Sequence, residues 1–381
     1  MTLSPMAARV SKVFVLAGAV TLLAGVALAP QRAWANLLLV SYFLLGLGLA
    51  GIFFVALHYA SGASWHVAFR RVPEAMSAVL PFAAAGLAAV FVFRSSLYPW
   101  TMGEKHAEGF QGIWLNFPFF LLRAGVYFLL WILFAAAIVK ISRRQDQDGD
   151  AAHTRRNIRL SVIFLIVFAF TVWLASYDWI MSLEPHWYST IFGVYNFAGL
   201  FSSGLAALIL LVAWLRRAGA LRDFVTEEHF HDLGKLLFAF CTFWMYIWFS
   251  QYMLIWYANF TEESAYYVHR QHGFWHPLFF LNVVLNWGVP FLALLPKATK
   301  RSASTVTKVA LVVLAGRWLD LYQMILPAVE PGPKPPFGVW EAGLVLGGIG
   351  LFLLVFTRAM RQAAPVPVRD PYLMESLRYH N

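Results

Sequence analysis

The sequence has a single cysteine, Cys241, among 381 residues. One thiol cannot hold an iron–sulfur cluster or a structural zinc, close an internal disulfide, or supply the paired attachment site of haem c. Cys241 sits in an apolar run and reads as a small buried hydrophobe. Charge is scarce too. Asp, Glu, Lys and Arg make up 13 % of the chain, about half of what a soluble domain carries. No phosphate-cradling glycine loop, nucleotide motif or nucleophile elbow is present, so the visible equipment of an enzyme acting alone is missing. Nor are there alternating segments of about ten residues, which argues against a porin-type barrel.

Apolar length is abundant instead. Hydrophobic residues form 60 % of the chain, grouped in runs of about 18–27 residues, each long enough to cross a hydrocarbon core of about 30 Å as a helix. The sequence predicts an all-α integral membrane protein with spans at 10–29, 35–59, 74–94, 113–139, 158–181, 191–215, 233–259, 272–296, 303–326 and 338–360. The first also has the shape of a signal peptide, with Arg9 and Lys12 before the apolar stretch and Ala33-Trp34-Ala35 after it. It is read as a retained spanning helix. A polar tail, 362–381, follows the last span and is expected along the cytoplasmic surface.

The net charge of +10 does not signal nucleic acid, because the basic residues lie in short loops between apolar runs. Of the 29 Lys and Arg residues, 22 fall on one side of the spans, among them Arg9, Lys140, Arg144, Arg216, Lys300 and Arg358. Only Arg32, Arg94, Lys105, Arg270 and Lys334 fall on the other. The positive-inside rule then puts both termini and the 140–159 loop in the cytoplasm. Trp and Tyr at span ends, as in Tyr98-Pro99-Trp100, Trp187-Tyr188 and Tyr266-Tyr267, read as interfacial anchors. Pro331 to Pro336 form an outer loop.

Four short matches recur at an offset of four spans. Phe192-Gly193-Val194-Tyr195-Asn196 resembles Phe337-Gly338-Val339-Trp340-Glu341. Trp114 to Leu121 resembles Trp275 to Leu281. Asp178 is echoed by Asp320, and Glu184-Pro185 by Glu330-Pro331. An even offset preserves orientation, so this predicts a parallel repeat about the membrane normal, two four-helix units plus two extra helices.

Ionisable groups within spans are costly and are functional candidates. Arg317 and Asp320 are three apart, on one helix face and within pairing reach. They are either a proton or head-group site or a buried structural pair. Asp178 and the loop bearing Glu184 and His186 lie toward the same outer end, with Glu262-Glu263, His272, His276 and Glu341. Toward the inner side are His58, His66, Lys235 and Glu74, the last placed to complement a helix N-terminus. Arg123, about ten residues into the fourth span, needs a partner the sequence does not name. Inner and outer groups separated by an apolar middle suit two proton half-channels. No histidine pair placed to ligate haem b inside a bundle stands out.

The run Ser176-Tyr177-Asp178-Trp179-Ile180-Met181-Ser182-Leu183-Glu184-Pro185-His186-Trp187-Tyr188-Ser189-Thr190 resembles the F subunit of bacterial alternative complex III. So does Phe249-Ser250-Gln251-Tyr252-Met253-Leu254-Ile255-Trp256-Tyr257-Ala258-Asn259, with Glu262 beyond it. The likeness extends from about Leu57 to the tenth span. That family is similar to polysulfide-reductase-type (NrfD-like) membrane subunits. The resemblance implies two four-helix bundles, about 35–181 and 191–326, with peripheral helices at 10–29 and 338–360. It implies a quinol-oxidising complex that passes electrons to a periplasmic carrier or a terminal oxidase. Iron–sulfur and haem c groups would belong to partner subunits: an iron–sulfur B subunit, haem c subunits and an NrfD-like C subunit that is the usual candidate for the quinol (menaquinol) site. No metal or redox cofactor and no catalytic residue would belong to this chain, which would support assembly among lipids and partners and conduct protons through Asp178, Glu184, His186, Arg317 and Asp320. Two alternatives stand beside this. In one, His276, Arg317 and Asp320 bind quinol at the outer end of a bundle, where a base within about 3 Å would take its proton. In the other the chain is an independent transporter, a class compatible with parallel repeats.

Overall fold

The computed structural model describes residues 5–93, 97–102, 109–332 and 335–379. Arg94, Lys105, Pro333 and Lys334 lie outside the described residues. Among those described there is no strand, and ten helices are long and apolar enough to cross a membrane. We number them α1 (Ala7–Leu28), α2 (Pro30–Ser61), α3 (Arg71–Val92), α4 (Phe117–Asp148), α5 (Ala152–Leu183), α6 (Phe192–Arg217), α7 (Glu227–Ala258), α8 (Trp275–Leu294), α9 (Ala303–Val329) and α10 (Val339–Met360). Ten passes bring both chain ends to one face, here the terminal face; the opposite face is distal.

Apolar composition fixes the spans, and local chemistry fixes their ends. The Asn116 side chain accepts from Phe119 N, with Pro118 in the first turn of α4. Ser302 caps α9 in the same way. The α4–α5 connection departs from the expected loop over 140–159. Lys, Arg and Gln are good helix formers, so α4 runs through its charged end until Gly149, at φ 74°, stops it. Three residues later α5 begins, and the two helices form a hairpin.

Helices α2 to α5 pack on one another, as do α6 to α9. The two groups meet along α2 and α6, with α2 also against α9 and α5 against α6. This reciprocal pattern is what a two-fold axis between the groups produces. On that axis a Cβ on Gly204 would stand 2.0 Å from the Ala50 methyl, and one on Gly46 would stand 3.5 Å from Leu200. The backbones therefore approach closely at the centre.

The first and tenth spans pack chiefly on each other, beside α2. A Cβ on Gly18 would lie 2.5 Å from Gly347 Cα, so the two helices cross at a pair of glycines. The match of Phe192 to Phe337 links α6 to α10. Because α10 lies outside both helix groups, that match marks no equivalent position in them.

Two expectations need correction. Tyr98, Trp187, Tyr266 and Tyr267 are buried inside the protein rather than anchored at its rim. Trp187 stacks on Tyr266 at 3.9 Å, and Tyr98 OH donates to Trp179 O at 2.9 Å. Tyr188 alone of this set is largely exposed. The tail, for its part, is docked rather than laid on the surface. Asp370 and Ser376 are buried, Arg70 Nη2 donates to Asp370 at 2.6 Å, and Ser376 Oγ donates to Trp65 O.

Candidate functional site

Asp178 is fully buried near the distal end of α5. Its Oδ1 accepts from Arg123 Nη2 at 2.8 Å and from Trp114 Nε1 at 2.8 Å. Its Oδ2 accepts from Arg123 Nε at 2.9 Å and from Tyr127 OH at 3.3 Å. This is a two-pronged guanidinium–carboxylate pair, the strongest neutralising geometry available. The guanidinium lies against the rings of Trp114 and Phe119, 4.2 and 4.3 Å from their centres. Asp178 is thus the partner that Arg123 required, and the pair ties α4 to α5.

Asp320 is equally buried near the distal end of α9. Its Oδ1 accepts from Asn282 Nδ2 at 3.0 Å and, by a short bond, from Tyr195 OH. Its Oδ2 accepts from Arg317 Nη1 at 2.6 Å and Trp244 Nε1 at 3.3 Å. Arg317 makes one prong here, and its Nη2 donates to Asn196 Oδ1 at 3.3 Å on α6. Room for the guanidinium exists because residue 199 is glycine: a Cβ there would fall 2.3 Å from Arg317 Nη1.

The two sites are related by the motif match. Arg123 stands five residues after Pro118, and Asn282 five residues after Pro277. Each donates from the same point of its helix to the carboxylate of the neighbouring one. In the second group the cation has moved to the carboxylate's own helix, three residues before Asp320. The helix that carries Asn282 is also irregular. It makes a π-turn over Val284–Gly288, followed by Pro290, whose ring nitrogen cannot bond back to the preceding turn. Asn286, buried in that turn, donates to Asn282 Oδ1 at 2.7 Å and so orients it.

Beside Asp320 lies a polar cavity of about 20 Å³, lined by Tyr195, Gln251, Tyr267, Arg270, Asn282 and Gln323 among others. That is room for one water. Gln323 Nε2 is buried without a protein acceptor, a donor that such a water would satisfy. From the cavity a polar strip leads to the distal face: Gln251 Nε2 donates to Tyr267 OH at 3.0 Å, and Ser189 Oγ donates to Gln251 Oε1 at 3.2 Å. Arg270 donates to Glu184 at 2.6 Å and to the Gln323 carbonyl at 2.7 Å. Burial works against its charge, but the Glu184 carboxylate beside it holds that charge more firmly than usual.

His186 and His276 are both exposed on the distal side. The His276 ring nitrogen faces Gln271 O at 3.2 Å, while Arg317 and Asp320 are buried and bonded elsewhere. The structure therefore does not assemble His276, Arg317 and Asp320 into one site. Glu341 is buried at the start of α10, where Arg32 embraces it at 2.7 and 2.5 Å and Asn36 Nδ2 donates at 2.8 Å. These bonds join α10 to α2.

Glu74 belongs to a second buried cluster near the terminal face. It accepts from Arg71 Nη1 at 2.5 Å and Ser142 Oγ at 2.6 Å, and Arg70 Nε lies 3.5 Å away. Arg71 also pairs with Asp146. Glu74 sits in the first turn, as expected of a capping acid, but its partners are these side chains. His58 and His66 are buried nearby with ring centres 4.3 Å apart. Burial pushes the His66 imidazole well below its usual 6.5, with His58 and Arg70 acting in the same direction.

The sequence did not point to Asn282, Tyr195, Trp244, Gln323 or Asp370. A signal for Asn282 existed in its place after Pro277. Tyr195 lies in the repeated string Phe192 to Asn196, which marks no role for its hydroxyl, and Trp244 carries no signal. No family model matches this chain, and no curated protein matches it.

Proposed function

We propose that this chain is an integral subunit of a quinol-oxidising respiratory assembly of the alternative complex III type, set in a bacterial cytoplasmic membrane with both termini in the cytoplasm. In this reading it carries no redox centre. Iron–sulfur clusters and haem c sit in partner subunits, and an NrfD-like subunit takes the quinol. The chain braces the assembly and handles protons. The strings around Asp178 and Phe249 and the basic bias of the terminal side favour the assignment.

The observation that carries the proton role is the cavity beside Asp320. It joins a buried carboxylate to a polar strip reaching the distal face, and a proton needs such hydrogen-bonding partners at each step. Asp178, gripped at both oxygens by Arg123, is read as a clamp. Glu74, at the cytoplasmic end, is the candidate for the opposite half-path.

Affinity purification of the tagged chain from its native membrane tests the assignment. Haem c absorbance and an iron–sulfur electron paramagnetic signal in the purified assembly, with quinol oxidation, are the expected result. A chain that purifies alone and transports a solute in vesicles would replace this reading with the transporter.

A further inference from the structure

A groove between α3, α4 and α10 opens toward the terminal face and takes no part in either carboxylate site. Its volume is about 890 Å³. Toward mid-membrane its walls are apolar, with Phe82, Ile132 and Val355. Its terminal end carries Lys140, Arg143, Arg144 and Arg358. The first three are spaced three and four residues apart and so share one face of α4. Depth follows from helix rise. Lys140 is roughly 35 Å along α4 from Phe117, and Arg358 roughly 29 Å along α10 from Val339, against a hydrocarbon core of about 30 Å. Both helices thus deliver their cations at the level of the lipid head groups.

These charges are not neutralised within the chain. Arg143 donates to Gln362 Oε1 at 2.7 Å and Ala359 O at 3.3 Å, both neutral, and its Nε is buried without a partner. Lys140, Arg144 and Arg358 are exposed and make no hydrogen bond or ion pair with a described residue. The acid in the lining, Glu74, is already held by Arg71 and Ser142.

The geometry points to a binding groove for one anionic phospholipid, its phosphate among Lys140, Arg144 and Arg358 and its acyl chains along Phe82, Ile132 and Val355. A zwitterionic lipid would bring an ammonium group to a site with no acid left to receive it. A free phosphate would leave the apolar wall uncovered. A peptide lying along that wall would bury backbone groups without partners at hydrocarbon depth. Basic pockets between spanning helices are the expected form of such lipid sites. The lipid would also fasten α10 to the first helix group, beside the tail that covers Arg70.

Native mass spectrometry of the full chain in mild detergent tests this, with phosphatidylglycerol and phosphatidylcholine of identical acyl chains. Phosphatidylglycerol should be retained at least about tenfold better, the scale set by several basic side chains near one head group. The variant carrying Lys140→Gln, Arg144→Gln and Arg358→Gln should lose that preference while keeping its helical circular dichroism. Ala136→Trp, which fills the apolar wall without touching a charge, should lower retention of both lipids. A variant with Arg216→Gln, Arg217→Gln and Arg222→Gln, on the same face but outside the groove, should keep the preference. Equal retention of the two lipids would overturn the proposal. So would a preference that survives the three groove substitutions or is lost equally with the control set. Displacement of phosphatidylglycerol by millimolar inorganic phosphate would identify an anion site without lipid and overturn it too.

Discussion

Asp178 and Asp320 stand near the distal ends of α5 and α9, in matching places of the two helix groups. Each accepts four hydrogen bonds, and each set includes an arginine, a tryptophan and a tyrosine. The difference lies in where the cation comes from. In the first group Arg123 reaches across from α4 and grips both oxygens, so the pair is a cross-link between helices. In the second, the corresponding place on α8 holds Asn282, and Arg317 rises from the carboxylate's own helix to meet one oxygen. The donor from α8 there is a neutral amide, the helix that carries it is interrupted by a π-turn, and a water-sized cavity adjoins the site. One buried carboxylate is thereby locked, and the other is given a polar neighbour that opens toward the distal face.

The comparison breaks first at Arg123. Arg123→Ala leaves Asp178 buried and unpaired and severs the α4–α5 link, with an expected loss of about 3–5 kcal/mol. The thermal midpoint of the purified chain in detergent reads this; a loss below about 1 kcal/mol would mean the pair is no clamp.

The equivalence of Arg123 and Asn282 is sharpened by moving the cation. Arg317→Ala alone should destabilise by a comparable amount, because Asp320 loses its charge partner. Adding Asn282→Arg rebuilds the first group's arrangement and should restore most of the lost thermal midpoint. No recovery would show that the two places are not interchangeable.

Gly199→Ala puts a methyl 2.3 Å from the Arg317 guanidinium and should cost about 1–3 kcal/mol by overpacking. Combined with Arg317→Ala its added cost should vanish, which a double-mutant cycle on the same midpoint measures.

The smallest expected effect is one of pH. The folded chain holds His66 well below its ordinary 6.5, so below about pH 6.5 the unfolded chain takes up a proton that the folded one refuses. Stability falls as pH drops, by at most about 1.4 kcal/mol per pH unit for this one group. His66→Gln should flatten the pH dependence of the thermal midpoint between pH 6.5 and 5. An unchanged slope would remove His66 from the account.

Much of the architecture was legible because apolar length and loop charge act locally. Ten spans and their even parity follow from runs that any window detects, and the described residues form ten helices of that kind. The i, i+3 spacing of Arg317 and Asp320 likewise announced a pair that forms at 2.6 Å. Arg123 shows where that legibility stops. Its partner lies on another helix, and which faces two apolar helices turn to each other depends on rotations that composition does not encode. The same holds for Tyr195 and Trp244, each inconspicuous in an aromatic-rich span until packing aims it at Asp320. The interfacial reading of Trp187 and Tyr266 failed for the converse reason: aromatic residues at a span end serve equally as rim anchors and as packing between loops. Asp370 was missed because a polar tail gives no periodic signal of the buried arginine it covers.

The central claim is that Asp320 handles protons while Asp178 holds the structure. The direct measurement is the proton-to-electron ratio of the whole native assembly in vesicles during quinol oxidation, with Asp320→Asn in this chain. The expected result is a lowered ratio with the assembly intact and electron transfer retained. An unchanged ratio in an intact, active assembly would contradict the claim and reduce Asp320, like Asp178, to a structural partner of its arginine.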